Sequence, residues 1–163
     1  MNNETVTYYP DWEGFLAEAT DVFVAKNTDY DSRFMRALVA YQAQRGPEAA
    51  RTIWAWEVEK KLDRCRTWIQ RGELAVKGEG VRNSVIDMFN YTVQYRIFRW
   101  HMDAGTDPFK DLNERGFYQT AAMIKPGEWL NYLTYIEGLI APNESELRQL
   151  ILTEMLGPLG VHG

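Results

Sequence analysis

The sequence predicts an all-α protein, a helical bundle of five or six helices, and three observations predict it. From Glu79 to Phe98 the apolar residues Val81, Val85, Ile86, Met88, Phe89, Val93 and Ile97 recur so densely that a helix there is covered on most of its circumference. On either side of it, apolar residues repeat at steps of three and four between Gly and Pro breaks. No strong apolar and polar alternation is bracketed by hairpin turn residues, so no strand is expected.

The elements follow in order. The first ten residues read as an arm whose Tyr8, Tyr9 and Pro10 can dock on the body. Asp11 is placed to cap a first helix running to about Lys26, with Trp12, Phe15, Leu16, Ala19, Val22 and Phe23 on one face. The stretch KNTDYDS then reads as a turn, because short polar side chains bond their own backbone. Asp31 or Ser32 opens a second helix through Phe34, Leu38 and Tyr41 to about Arg45. Gly46-Pro47 separates it from a third, where Pro47 suits the first turn and Glu48 the positive end of the dipole.

That third helix reaches about Arg71, with Trp54, Val58, Leu62, Cys65 and Ile69 as its core seam. Glu57, Lys61, Arg64 and Trp68 make a second stripe about 80° around the cylinder. Such a stripe either reaches a shared cleft or is a solvated face in which Glu57 pairs with Lys61. The loop GELAVKGEG leads into the central helix, which ends near Gly105. A long connection with one short helix follows, and Pro126 then begins a helix with Trp129, Tyr132, Leu133 and Ile136 inward. The last helix follows Pro142, capped by Asn143 or Ser145, carries Leu147, Leu150, Ile151, Met155 and Leu156, and stops at Gly157-Pro158.

A chain of 163 residues fits one domain with a full core, supplied by six Trp, nine Tyr and seven Phe. With 18 Lys and Arg against 23 Asp and Glu, the net charge of −5 argues against a general nucleic-acid binder. A local basic site is compatible with it, since Lys60, Lys61, Arg64, Arg66, Arg71, Lys77 and Arg82 crowd into the middle of the chain. The single cysteine, Cys65, has no intrachain partner and reads as a small buried hydrophobe. No apolar run reaches membrane-spanning length and the N-terminus lacks a signal core, so a cytoplasmic protein without a membrane partner is expected.

Candidate chemistry centres on Asp87, which sits between Val85-Ile86 and Met88-Phe89 in the most apolar helix. Glu79, Asn83, Asp87 and Tyr91 follow one another at steps of four and so form one polar stripe. An ionised carboxylate there needs a compensating group. One reading is a Lys or Arg from a neighbouring helix. The other is a divalent cation or nucleotide site, since Mg²⁺ binds one or two carboxylates together with substrate phosphates.

Three stretches carry a family resemblance: KNTDY at Lys26 to Tyr30, EVEKKLDR at Glu57 to Arg64, and EGVRNSVIDMFNY at Glu79 to Tyr91. They resemble the phage and bacterial nucleotide-modification-associated domain family. Its pattern joins a K-N-x-D-Y-G element, a K-x-x-R helix and E-x-x-x-D-x-x-x-D-x-x-x-Y. That family is distantly similar to the MazG and dimeric dUTPase group of all-α nucleoside triphosphate pyrophosphatases. The resemblance implies a MazG-like core over residues 26–98 and a C-terminal helical extension over 105–163, within one domain. It also implies Lys26, Asp29 and Tyr30 near a nucleotide, Lys61 and Arg64 in reach of its phosphates, and Glu79 and Asp87 as catalytic ligands of Mg²⁺. Asn83 stands where the pattern has Asp, and Asp31 where it has Gly. The paired E-x-x-E of the MazG enzymes has no match in the third helix.

Three functions are then in play. The first is a Mg²⁺-dependent nucleotide pyrophosphohydrolase in which Glu57 joins Glu79 and Asp87, and Lys26, Lys61 and Arg64 hold phosphates. The second is a phage counter-defence sponge that binds a nucleotide-derived signal without cleaving it. Asn83 and the thin carboxylate set motivate it, since binding needs only cations for phosphate and aromatic faces such as Trp54, Trp68 or Tyr91 for a base. The third is a protein-interaction module. A homo-oligomer is expected under all three, from the helical pyrophosphatases the chain resembles.

Overall fold

The computed structural model describes residues 9–72 and 80–157. These residues are mostly helical, with no strand among them, and form seven α-helices rather than five or six. They are α1 (Tyr9–Tyr30), α2 (Arg33–Arg45), α3 (Pro47–Arg71), α4 (Val81–Ala104), α5 (Glu114–Ala121), α6 (Pro126–Asn131) and α7 (Ser145–Leu156). A 3₁₀ turn at Pro108–Asp111 precedes α5, and a π-helical turn at Tyr132–Ile136 continues α6. The expectations for Tyr8, Glu79 and the Pro158 stop lie outside the described residues.

As the apolar density of its sequence requires, α4 is the central element and touches α1, α2, α3, α5 and α7. Val85, Met88, Phe89, Val93 and Phe98 on it are fully buried. The predicted seam of α3 is the observed one for Trp54, Val58, Leu62 and Cys65. Burial pushes the Cys65 thiol up to about 12, so it packs as a small hydrophobe and carries no thiolate near neutrality. Aromatic rings bind α1 and α6 to α4: Phe89 meets Trp12, Phe15 and Trp129 edge-on at 5.7, 5.4 and 5.7 Å. Among the described residues no helix is long and apolar enough to cross a membrane.

Two expectations about α1 are corrected. The helix begins at Tyr9, so Tyr9 and Pro10 belong to it rather than to an arm, and Asp11 is an acid in its first turn rather than its cap. It also runs through Lys26 to Tyr30, so KNTDY is helical. The Thr28 hydroxyl satisfies itself by donating to the Val24 carbonyl at 2.9 Å, a bond that leaves the helix intact. The chain breaks only at Asp31 and Ser32, whose φ of 51° and 56° put both in the left-handed region. Non-glycine residues pay about 1 kcal/mol or more there. Asp31→Gly is therefore expected to raise the unfolding free energy by about 1 kcal/mol, read from urea melts.

Gly46 separates α2 from α3 at φ 94°, and Pro47 occupies the first position of α3 as expected. The corrections to α7 are that it starts after Glu144 and that neither Asn143 nor Ser145 caps it with a side chain. Glu144 instead receives the Ala141 N–H at 2.9 Å and the Arg66 guanidinium at 2.8 and 3.0 Å. The Arg66 bonds hold its carboxyl below the usual value. Arg66 also reaches Glu59, Asp63 and the Leu139 carbonyl, so one side chain ties α3 to the segment before α7.

The segment between α4 and α6 is pinned by His101, whose ring nitrogens meet Thr106 and Asp111, each at 2.6 Å. Asn113 caps α5 by accepting the Gly116 N–H at 2.8 Å. A Cβ at Gly116 would lie 2.4 Å from the Asp111 carbonyl oxygen and 2.8 Å from its Cα. Because those atoms are backbone, Gly116→Ala is expected to cost about 3 kcal/mol, seen as a lower denaturant midpoint.

Candidate functional site

Four helices converge on a cavity of about 530 Å³. α1 brings Lys26, Asn27 and Tyr30 to it, α2 brings Arg33 and Phe34, α3 brings Glu57, Lys60 and Lys61, and α4 brings Asp87, Asn90 and Tyr91. The extension of α1 past Lys26 puts Tyr30 on the rim, and the left-handed Asp31-Ser32 pair lets Arg33 face it from the next helix. Backbone strain of this kind recurs beside binding sites.

Asp87 is the hub. Its Oδ1 receives Lys26 Nζ at 2.8 Å and its Oδ2 faces Lys61 Nζ at 3.3 Å. The carboxylate is 15% exposed, against the cavity wall rather than in a wholly apolar setting, and two ammonium ions from α1 and α3 compensate it. Glu57 pairs with Lys60 at 2.9 Å rather than with Lys61, because Lys61 is drawn across to Asp87. Tyr91 stands beside Glu57 and Asp87, and burial with these two carboxylates raises its phenol to about 12, so it stays protonated.

The remaining predicted residues divide. Lys26, Tyr30, Glu57, Lys61, Asp87 and Tyr91 share the cavity. Asp29 and Asn83 are exposed and do not line it. Arg64 lies outside its lining and donates from Nε to the Ser84 hydroxyl at 3.3 Å. Glu79 is outside the described residues. Trp54 is fully buried, and Trp68 is partly buried against the core. Sequence reasoning missed Arg33, Phe34 and Asn90. Phe34 packs edge-on to Tyr91 at 4.8 Å, and Asn90 gives its amide to the Ala19 carbonyl at 3.0 Å while its Oδ1 has no partner. A polar residue inside the most apolar helix was the available signal for Asn90.

Lys26, Arg33, Lys60 and Lys61 face only Glu57 and Asp87 across the cavity, an excess of two positive charges in a chain whose net charge is −5. The volume falls in the range of about 300–1,000 Å³ usual for small-molecule sites. For Mg²⁺ the donor set is less suited. Among the described residues no group of three or more His, Cys, Asp or Glu side chains is placed to hold a metal. Both carboxylates of the cavity are paired with ammonium ions, which a metal would have to displace. The arrangement can bind an anion and stack a flat group. No protein-family model, curated protein or solved structure matches the chain, so the meaning of the cavity rests on its own geometry.

Proposed function

We propose that the chain binds a phosphorylated nucleotide, or a small molecule derived from one, in the cavity between α1, α2, α3 and α4. The observation that carries this reading is the Lys26–Asp87–Lys61 bridge, in which one carboxylate holds two ammonium ions at a cavity wall. An arriving phosphate replaces Asp87 as the partner of both lysines, with Lys60 and Arg33 adding charge at the rim. Phe34, Tyr91 and the exposed Tyr30 supply ring faces for a base. The orphaned Asn90 Oδ1 is an acceptor for a base or sugar N–H or O–H.

Sequestration without cleavage is favoured, because four cations face only two carboxylates in the cavity. Metal-dependent hydrolysis is the second reading. Its support is that Glu57 and Asp87 stand on facing helices, line one cavity and both act on Tyr91. The two separate in one experiment. A panel of linear and cyclic nucleotides is screened for thermal stabilisation with and without Mg²⁺, and any ligand that stabilises is recovered and chromatographed. Intact ligand supports sequestration, and Mg²⁺-dependent release of pyrophosphate supports hydrolysis. A panel that leaves the melting temperature unchanged overturns both.

A cytoplasmic setting and self-association belong to the same reading. Buried, thiol-form Cys65 suits a reducing compartment, and exposed Trp56, Trp100 and Tyr135 offer apolar surface for a second copy.

A further inference from the structure

A second cavity, about 610 Å³, opens on the other side of the α3–α4 pair. α4 walls both, presenting Asp87, Tyr91 and Gln94 to the first and Tyr95, Arg96 and Arg99 to the second. At about 100° per residue these two faces of α4 are roughly 140° apart. The outer wall of the second cavity comes from the segment around α6, which the resemblance to known families does not cover.

The polar groups of this wall are sorted by what is already satisfied. Glu137, whose side chain is 5% exposed, takes both the Nε and Nη2 donors of Arg51, at 2.8 and 2.5 Å. The Tyr132 hydroxyl lies beside it, and burial with that carboxylate raises the phenol. The π-helical turn fixes that pair by closing Glu137 N–H onto the Tyr132 carbonyl at 3.0 Å. Arg51, Tyr132 and Glu137 are thus a closed network whose charges cancel.

What is left over donates. Arg96, Arg99 and Lys125 line the cavity, and among the described residues none of the three has an ion-pair or hydrogen-bond partner from its side chain. The Trp129 indole N–H, in a residue 3% exposed, also has no partner. The carboxylates not yet used, Glu48 and Glu128, are on exposed residues, as Arg96 and Lys125 are, and with Arg51 and Glu137 the lining holds four cations against three carboxylates. That excess and the unpartnered indole N–H suit a ligand that brings acceptor atoms and negative charge. The apolar part of the wall is flat: Trp54 stacks on Tyr95 at 5.2 Å and leans on Tyr132 at 5.9 Å. Burial holds the Tyr95 hydroxyl above its usual value, with Arg99 and Arg51 acting against that rise and Glu137 adding to it.

We infer that the second cavity binds a small oxyanion carried on a flat ring, an aromatic carboxylate or phosphate monoester, held by Arg96, Arg99 and the Trp129 indole N–H. Its ring lies along Tyr95 and Tyr132, and its oxygens meet the two guanidinium groups, which suit carboxylate and phosphate equally. The site is separate from the nucleotide cavity and stands whether or not that one is occupied.

The test is a titration of the full chain labelled at tryptophan side chains, followed by NMR, with the Trp129 indole signal assigned from Trp129→Phe. The probes are benzoate, phenyl phosphate, inorganic phosphate and phenol. The expected result is a saturable shift of the Trp129 signal with one or both ring-bearing anions, at least tenfold tighter than with inorganic phosphate or phenol. The tighter of benzoate and phenyl phosphate identifies the oxyanion. Arg96→Ala with Arg99→Ala is expected to weaken binding at least tenfold without lowering the melting temperature, and Lys61→Ala to leave it unchanged. Phenol binding as tightly as the anions, a Trp129 signal that never saturates, or indifference to the paired Arg96 and Arg99 changes would overturn the assignment. So would loss of the response in Lys61→Ala, which would put the anion in the other cavity.

Discussion

Replacing Lys26 and Lys61 together by alanine is expected to weaken nucleotide binding by at least a hundredfold. Each lysine exchanges a bond to Asp87 for a charge-assisted bond to phosphate, and such bonds contribute about 1.5–3 kcal/mol each when made in a partly enclosed site. At about 1.4 kcal/mol per factor of ten, losing two of them gives the stated change. Lys60 and Arg33 remain at the rim and retain some attraction, so weak binding should persist and fade as salt is added. The double change also strands Asp87. Adding Asp87→Asn removes the uncompensated charge, so the triple variant should melt no lower than the double one and recover at most about tenfold in affinity, staying weaker than wild type. Calorimetric titration beside thermal unfolding of all three proteins checks this, and wild-type affinity in the double variant would remove the lysines from the site.

Trp54→Ala should have the largest effect on stability, a loss of about 4 kcal/mol in denaturant unfolding. The side chain is fully buried and stacks on Tyr95, and its indole N–H reaches the Thr92 hydroxyl at 3.2 Å. Truncation opens a void between α3 and α4, the two helices that wall both cavities, and leaves Thr92 with only its bond to the Met88 carbonyl at 3.0 Å. Trp54→Phe restores a ring without the N–H and should recover at least half of the loss. A cost below about 1 kcal/mol for Trp54→Ala would mean that α3 and α4 close over the gap.

Much of this arrangement was legible in the residues. Helical periodicity located the seam of α3 and the apolar sheath of α4, and Gly46-Pro47 marked the break between α2 and α3 because the two residues act through backbone geometry alone. The end of α1 was misread for the opposite reason. KNTDY has the composition of a turn, but its polar side chains lie on solvent and on the cavity while Phe23 packs below them, and packing overrides local preference. The real break needs a positive φ at Asp31, a position where the resembled pattern carries glycine. The choice of Lys60 over Lys61 as the partner of Glu57 could not be read from spacing, since both lie on the same helical face and Asp87 on another helix decides between them. The second cavity was illegible altogether. It joins Arg51 to Glu137 across 86 positions and depends on a π-helical turn, which has no composition of its own.

Asp87→Asn, titrated with a nucleotide that stabilises the wild-type protein and with no divalent cation present, is the most direct measurement. If Asp87 competes with phosphate for Lys26 and Lys61, removing its charge should tighten binding about tenfold, the size of one lost repulsion of a charge across a partly solvated cavity. Binding that weakens in this variant, or that needs Mg²⁺ in the wild type and disappears with Asp87, would contradict the account and make that carboxylate a metal ligand.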